Sequence, residues 1–396
     1  MTDYSTKRKK YFLQIISIIS LILILFTISV KFKNEKVNAF TKSKAEVVLE
    51  VDSGRVLFTN NENQRLPMAS TTKIITAITA IENADISQDV RITSKTCNVE
   101  GSSVYLKDGD IFTLKDLLYG LMLRSGNDCA ESIALFVGNT RENFIKMMNS
   151  TCKKIGCENT NLTNPHGLPD DNHYTTAMDL AKISAYAMKN VTFCEIVSTK
   201  RVTVTEKSQN KKRVFVNKNK MLARFDGANG IKTGYTKKAG RCLVSSAKRN
   251  GMQLVCVVIN SPQMFERSEE LLNGAFCEYS YVPIINSQEM EQFCSLQGFA
   301  LATVNNSIFY PLKKGETLKC EYEIYNFKRL PLKKGEIIGK ISIFNKNSLL
   351  FSENIITINR VENKKIFGII KSRLSEYLTE KYENKQISCA LRGCQP

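Results

Sequence analysis

The sequence predicts an α+β fold, in which an antiparallel sheet carries helices on its faces. Near the start of the chain, two short apolar runs flank the turn 51–54, which is the pattern of a β-hairpin. Segments with the apolar spacing of helices follow in the middle of the chain. Two more strand-like runs then surround the turn 248–251. Hairpin, helices and hairpin in this order are typical of a layered α+β domain.

The elements of this domain follow one another along the chain. We expect the strands of the first hairpin at Glu46–Glu50 and Arg55–Thr59, and those of the second at Gly240–Asn250 and Gly251–Asn260. Ser70 begins an apolar helix. Further helices are expected at Leu114–Leu123, at Ala130–Val137 and, after Thr176 as a cap, at Ala177–Met188.

A second unit begins near Pro283. Lys-Lys-Gly and Asn-Lys-Asn turns there separate β-rich runs, which predict a small all-β domain with strands at Phe299–Thr303, Thr317–Tyr325, Ile337–Phe344 and Leu349–Ile358. Residues 364–381 have the spacing of a basic amphipathic helix, which either lies in a membrane interface or packs on its own domain. The predicted units are a leader at 1–39, the α+β domain at 40–282, the β-rich domain at 283–362, and a helix with a tail at 363–396.

The leader has the layout of a secretory signal peptide or of a retained membrane anchor. A basic cluster at 7–10 precedes an apolar stretch at 11–30, and small residues at 37–39 suit cleavage by a signal peptidase. The apolar stretch is also long enough to span a bilayer. With either outcome, we expect the rest of the chain outside the cytoplasm, associated with the membrane or secreted.

Composition limits the classes of partner. A hydrophobic content of 43% with 24% charged residues suits a globular protein with a sizeable core. The net charge of +18 indicates a polyanionic partner or surface. The basic residues are scattered along the chain and are not interleaved with aromatic side chains that stack on bases, which argues against nucleic acid.

The cysteines and histidines do not form a pattern of metal ligands. The 12 cysteines include no CxxC pair, and the 2 histidines form no HxxxH motif, so we expect neither a metal nor another cofactor. Two cysteine pairs, Cys152 with Cys157 and Cys389 with Cys394, are spaced closely enough to form disulfides. The alternative is that the cysteines are small core residues with free thiols.

The segment around Ser70 and Lys73 has two interpretations. Ser70 is either a helix cap beside a solvated lysine, or a nucleophile with Lys73 as its base one helical turn later. The SxxK pattern occurs at four places, but only at Ser70 does the lysine enter an apolar helix. Two further motifs, Ser125-Gly126-Asn127 and Lys232-Thr233-Gly234, follow it in the order that serine-lysine acyl transferases use.

With these motifs, the sequence resembles the low-molecular-mass penicillin-binding proteins, which are serine-type D-alanyl-D-alanine carboxypeptidases. The resemblance covers roughly residues 40 to 380 and is carried by the segments 67–74, 116–128, 164–168, 174–177 and 230–236. It implies a catalytic α+β domain, a C-terminal β-domain with a terminal helix, and no cofactor. It also implies that peptidoglycan stem peptides are the substrates and that β-lactams are covalent inhibitors.

The chemistry needs a neutral Lys73, and burial beside the cation Lys232 would lower its pKa. Ser125 would relay a proton to the leaving D-alanine, and Asn127 would hold the substrate backbone. Lys232 and Thr233 suit a terminal carboxylate, and Gly234 would let the substrate lie close to its strand. The resemblance further implies an oxyanion hole of the backbone N–H groups of Ser70 and Tyr235. It also implies a substrate-binding arginine at Arg267, for which a plain surface residue is the alternative.

Other functions remain as alternatives. A Ser-His pair would involve His166 or His173, but the turn at 164–168 favours a structural, hydrogen-bonded role for His166. Asp128 is expected to be a buried partner at a helix start. A β-lactamase, or a DD-endopeptidase or transpeptidase, would share the same motifs. The sequence lacks a glutamate in a segment like the deacylating loop of class A β-lactamases. A non-enzymatic penicillin sensor would need a cytoplasmic domain, and only ten residues precede the apolar stretch.

Overall fold

The structure is a computed structural model that describes residues 43–296, 299–327, 330–383 and 387–388. The apolar stretch 11–30, the cleavage site at 37–39 and the pair Cys389 and Cys394 lie outside the described residues. Within the described ranges, we find no helix with the length and apolar character needed to cross a bilayer.

The chain forms two layered units. The strands are β1 Ala45–Glu50, β2 Val56–Asn60, β3 Asp89–Arg91, β4 Ile111–Thr113, β5 Arg201–Glu206, β6 Lys211–Val216, β7 Ala228–Thr236, β8 Gly240–Arg249, β9 Met252–Ile259, β10 Tyr279–Ile285, β11 Ser295–Leu296, β12 Phe299–Ala300, β13 Ala302–Val304, β14 Ile308–Lys313, β15 Thr317–Ile324, β16 Ile337–Asn345, β17 Ser348–Thr357 and β18 Ile387–Ser388. The α-helices are α1 Lys73–Asn83, α2 Leu114–Tyr119, α3 Asn127–Gly138, α4 Arg141–Ile155, α5 Ala177–Met188, α6 Val191–Ser198, α7 Met221–Arg224, α8 Met264–Glu278, α9 Ser287–Phe293 and α10 Lys364–Leu378.

The first unit is built on a five-stranded sheet in the order β2-β1-β9-β8-β7. Neighbouring strands in it are antiparallel, and both predicted hairpins are confirmed. Side chains on β1 and β9 alternate between two apolar cores, as the period of a strand requires. Val47 and Val257 face the core formed with helices α1 to α6. Val48 and Cys256 face the core under α8, so the sheet is covered on both sides.

Hydroxyl and amide side chains begin several helices of the first unit. Thr113 forms a capping box with Asp116 at the start of α2, and the Thr176 hydroxyl accepts a hydrogen bond from the Asp179 N–H at the start of α5. Ser70 is different. It lies in a 3-10 turn at Ala69–Thr72, and α1 begins only at Lys73. The interpretation of Ser70 as the helix cap is therefore wrong.

The second unit has its own core, which runs from Ile284 to Leu378. Its main sheet has the order β13-β17-β16-β15-β18, and β10 pairs with β14 beside it. Helix α9 contributes Met290 to this core, so the unit is not all-β. The apolar face of α10, including Ile370 and Leu374, is buried in the same core. Of the two roles predicted for this helix, packing on its own domain is confirmed by these buried residues.

One arginine joins the two units. The Arg55 guanidinium, in the turn between β1 and β2, donates to both carboxylate oxygens of Glu316 at 2.7 and 2.8 Å. It also lies against the rings of Tyr279 and Tyr310. The second unit therefore attaches at the β1–β2 end of the sheet. The opposite edge of that sheet is β7, which carries the Lys-Thr-Gly motif.

Candidate active site

The turn that carries Ser70 is held in a strained conformation by its neighbours. Ala69 has a left-handed φ of +49°, which is costly for a residue with a side chain. Gly167 packs directly on this turn, since a Cβ at Gly167 would lie 1.9 Å from the Ala69 carbonyl oxygen. His173 lies 2.9 Å from the Thr72 hydroxyl, which in turn donates to the Ala69 carbonyl oxygen. These contacts fix the position from which the Ser70 hydroxyl projects.

Lys73 is fully buried at the start of α1. Its Nζ lies 3.0 Å from the Ser70 Oγ, 2.7 Å from the Asn127 Oδ1 and 2.8 Å from the His166 carbonyl oxygen. Burial, and then the nearby ammonium of Lys232, lower the pKa of Lys73 well below its usual value. A neutral amine within hydrogen-bonding distance of a serine hydroxyl can accept that hydroxyl's proton.

The second motif lies where a π-helical turn meets α3. Ser125 has a left-handed φ of +65° and is buried. Two residues later, the Asn127 backbone N–H donates to the Ser102 carbonyl oxygen at 2.7 Å, and its side chain bonds both Lys73 and the Glu100 carbonyl oxygen. The structure therefore joins Asn127 directly to the base. Gly101 permits this contact, since a Cβ there would lie 2.8 Å from the Asn127 Nδ2.

The third motif lies on β7, the edge strand. Lys232 and Gly234 pair with Val244 and Cys242, whose side chains belong to the helical core, so both face the side of Ser70. A Cβ at Gly234 would lie 3.1 Å from the Ser70 backbone nitrogen. Gly234 thus lets the strand itself approach the nucleophile turn.

The Lys232 side chain is buried and donates to the Thr233 carbonyl oxygen at 3.0 Å. Burial, and then the charge of Lys218, lower the pKa of Lys232 to about 7. Thr233 is half-buried beside it. Tyr235 follows on the same edge, with its side chain 65% exposed.

Arg267 does not belong to this group. It lies on α8, on the other face of the sheet, where Glu46 pairs with Val258. Its guanidinium donates to both oxygens of the buried Glu46 carboxylate at 2.7 and 2.8 Å, and to Glu270 at 2.8 Å. The expectation that Arg267 binds substrate is therefore wrong, and its partners are within the protein. Sequence order cannot reveal this, because it does not specify the face of the sheet.

Both histidines are structural. The His166 Nδ1 accepts the Leu168 N–H at 3.2 Å and its Nε2 donates to Glu131 at 3.0 Å, which confirms the predicted hydrogen-bonded role. Burial lowers the pKa of His173 to about 4, so its ring is neutral. Its Nδ1 accepts the Thr163 N–H, which leaves the Nε2–H to donate to Thr72. Neither ring is hydrogen-bonded to Ser70.

Asp128 organises the loop 101–106, as expected of a buried partner at a helix start. It accepts hydrogen bonds from the Ser103 hydroxyl and from the backbone N–H groups of Val104 and Leu106.

Lys218 is a residue of the site that sequence analysis missed. Its charge lowers the pKa of both Lys73 and Lys232, and burial followed by Arg124 lowers its own. Its backbone N–H donates to the Leu123 carbonyl oxygen, which places it beside the Ser125 turn. It belongs to no motif, and only the folding of the chain after β6 brings it to the site.

Together, these groups can support acyl transfer. Ser70, Lys73 and Asn127 are joined by direct hydrogen bonds, and the strand that carries Lys232 touches the Ser70 turn. A hydroxyl with a buried amine, near a second cation that suits a carboxylate, is the arrangement of a serine-lysine acyl transferase.

Comparison with known proteins gives the family. A family model described as D-alanyl-D-alanine carboxypeptidase matches residues 32–263. The chain belongs to this family. It is 30% identical over 344 residues to D-alanyl-D-alanine carboxypeptidase DacF of Bacillus subtilis, covering 83% of this chain and 87% of that protein. The carboxypeptidase family accounts for the order of the motifs, and the protein is accordingly a serine-type peptidase.

Solved structures agree with the D-alanyl-D-alanine carboxypeptidase fold. Penicillin binding protein 5 from Haemophilus influenzae has a TM-score of 0.65 and 26% identity, and the match covers 81% of this chain and 98% of that one. A mutant of the Streptomyces K15 DD-transpeptidase has a TM-score of 0.56 and 32% identity, with 59% of this chain and 97% of that one covered. The first match extends into the second unit, and the α+β fold class is confirmed.

Proposed function

We propose that the protein removes the terminal D-alanine from peptidoglycan stem pentapeptides through an acyl-enzyme on Ser70. The observation that supports this most directly is the buried Lys73 amine, which lies 3.0 Å from the Ser70 Oγ and has a lowered pKa. A lysine in this state acts as a base at a pH where an exposed lysine would be charged.

The proposed reaction has two steps. The Ser70 Oγ attacks the carbonyl carbon between the last two D-alanines while its proton passes to the Lys73 Nζ. Backbone N–H groups of Ser70 and Tyr235 would stabilise the oxyanion of the tetrahedral intermediate. The C–N bond then breaks, and the leaving amine takes a proton from Lys73 through Ser125. Water hydrolyses the resulting ester with Lys73 again as base, which restores the Ser70 hydroxyl.

Substrate binding would use the remaining motif residues. Lys232, when charged, and the Thr233 hydroxyl would bind the terminal carboxylate. The Asn127 side chain already contacts Lys73, so its role would be to orient the base as well as the peptide backbone. A β-lactam would acylate Ser70 in the same way, and the missing deacylating glutamate would leave that ester long-lived.

We further propose that the enzyme works outside the cytoplasm, in the biosynthesis or remodelling of the cell wall. The N-terminal apolar stretch would direct export, either as a cleaved signal or as a retained membrane anchor. The α10 apolar face is occupied by its own domain, which leaves the N-terminal segment as the proposed membrane contact. The charge of +18 suits anionic wall polymers and lipid headgroups.

A transpeptidase is the second candidate, since one structural relative is described as a DD-transpeptidase. In that case an amine of a second stem peptide, and not water, would attack the acyl-enzyme. Mass analysis of products from a pentapeptide alone, and from a pentapeptide with an acceptor amine, separates the two activities.

The test of the site is labelling with fluorescent penicillin. We expect no label on Ser70→Ala and at least a hundredfold slower labelling of Lys73→Ala, because loss of a general base typically costs about 10²–10⁴ in rate. Ser150 and Lys153 provide a matched control, since this pair has the same spacing but is exposed on α4. Ser150→Ala and Lys153→Ala should label normally. Label retained on Ser70→Ala would refute the nucleophile. Rapid turnover of the penicillin, in place of stoichiometric capture, would indicate a β-lactamase.

A further inference from the structure

We propose that Tyr105 binds substrate, with its ring packed against the part of the stem peptide that precedes the scissile bond. This inference rests on the proposed function. It concerns a loop, residues 101–106, that carries none of the family motifs discussed above. We call it the Tyr105 loop.

The Tyr105 loop is attached to the second motif of the site. The Asn127 N–H donates to the carbonyl oxygen of Ser102, and a Cβ at Gly126 would lie 3.3 Å from the Val104 side chain. Asn127 itself is hydrogen-bonded to the base Lys73 at 2.7 Å. The loop is therefore part of the wall of the site on the Asn127 side.

The Tyr105 side chain is presented to solvent at a conformational cost. It is 80% exposed, while its neighbour Leu106 is buried. Its backbone φ of +61° is left-handed, a conformation that strains a non-glycine residue. Glycine or asparagine would adopt this conformation more easily. A tyrosine with a strained backbone and an 80% exposed side chain contributes little burial to the fold, so its ring is free to contact a molecule outside the chain.

Charged side chains hold the loop on both sides of Tyr105. Asp128 accepts the Val104 and Leu106 N–H groups at 3.1 Å each. From β6, the Arg213 Nη1 donates at 3.2 Å to both the Val104 and the Tyr105 carbonyl oxygens. Because the backbone is fixed on each side, the point from which the ring projects is set before any ligand arrives, which reduces the entropy lost on binding.

The position of the loop favours the acyl portion of the substrate. The proposed carboxylate partner Lys232 lies on β7, which reaches the Ser70 turn through Gly234, whereas the Tyr105 loop is bonded to Asn127 of the second motif. A stem peptide extended along β7 would pass its longer, N-terminal part between this strand and the Tyr105 loop. Tyrosine suits such contacts because its flat ring packs against aliphatic side chains and peptide groups.

The experiment measures kcat/KM on substrates of different length. Tyr105→Ala should lower kcat/KM for a stem pentapeptide about two- to tenfold, the range that an aromatic contact of about 0.5–1.5 kcal/mol implies. It should change kcat/KM for N-acetyl-D-Ala-D-Ala and the rate of acylation by benzylpenicillin less than about twofold, since neither has the longer peptide. Tyr105→Phe should behave as wild type. Tyr105→Asn removes the ring but suits the left-handed backbone, and should match Tyr105→Ala.

Several outcomes would overturn the inference. Equal losses on all three reagents would mean that the ring only supports the loop, and unchanged pentapeptide kinetics would mean that it has no role. If wild-type protein captures benzylpenicillin but leaves the pentapeptide intact, the proposed function fails, and this inference fails with it.

Discussion

Replacing Lys232 with methionine should make the protein more stable and at the same time remove its carboxypeptidase activity. Lys232 is fully buried, and burial followed by the charge of Lys218 lowers its pKa from 10.5 to about 7. The folded state therefore disfavours the charged form that the unfolded chain carries. Methionine has a similar length and no charge, so it removes the cost of burying the ammonium.

The size of the effect follows from the pKa. At about 1.4 kcal/mol per pH unit, a change from 10.5 to about 7 corresponds to about 5 kcal/mol of lost stability. The hydrogen bond from Lys232 to the Thr233 carbonyl oxygen would offset about 1 kcal/mol. We therefore expect a gain of about 3–4 kcal/mol in Lys232→Met. For a unit of this size, that raises Tm by roughly 5–10 °C.

The pH dependence has a definite sign. Below pH 7 the folded protein carries the full cost of a charged Lys232. Between about 7 and 10.5 the unfolded chain binds more protons than the folded one, so wild-type stability rises with pH through this group. The advantage of Lys232→Met should therefore be largest below about pH 7 and small near about pH 10.

Thermal unfolding at about pH 6 and about pH 9.5, followed by circular dichroism, measures this difference. Lys237→Met is the matched control, because Lys237 is exposed just after β7. It should leave Tm within a degree or two at both values. A lowered pKa of Lys232 would be refuted if Lys232→Met were no more stable than wild type at the lower pH. It would also be refuted if the variant's gain in Tm over wild type were the same at both pH values.

Two further substitutions test the contact of Gly167 with the Ser70 turn and the pairing of Arg267 with Glu46. Gly167→Ala should abolish penicillin acylation, because its Cβ would lie 1.9 Å from the Ala69 carbonyl oxygen. Gly54→Ala is the control, since Gly54 also has a left-handed φ but has open space around it, and this variant should only lower Tm slightly. Equal acylation by both variants would contradict the close contact. Arg267→Ala leaves the buried Glu46 without its main cation and should cost about 3–5 kcal/mol of stability, measured by urea unfolding. The acylation rate per folded molecule of Arg267→Ala should be unchanged. If this variant lost acylation but kept normal stability, Arg267 would have to act in substrate binding.

The family, the order of its motifs, both hairpins of the first sheet and several helices can be predicted from the sequence alone. The serine–lysine spacing predicts their contact, because residues one helical turn apart share a face. In the structure, the 3-10 turn of Ser70 leads directly into α1, and the Lys73 Nζ lies 3.0 Å from the Ser70 Oγ. The period of apolar residues likewise predicts the hairpins and the helix after Thr176. These features are local, so a single segment contains the information they require.

Which distant residues meet becomes clear only from the folded chain. Arg267 follows the motifs in the chain but faces the opposite side of the sheet, and Lys218 belongs to no motif but affects both lysines of the site. The amphipathic pattern of α10 suits a membrane equally well, and only the structure shows that its apolar face packs in the second core. In each case the pattern specifies a face or a charge, while the contact depends on how separate elements pack together.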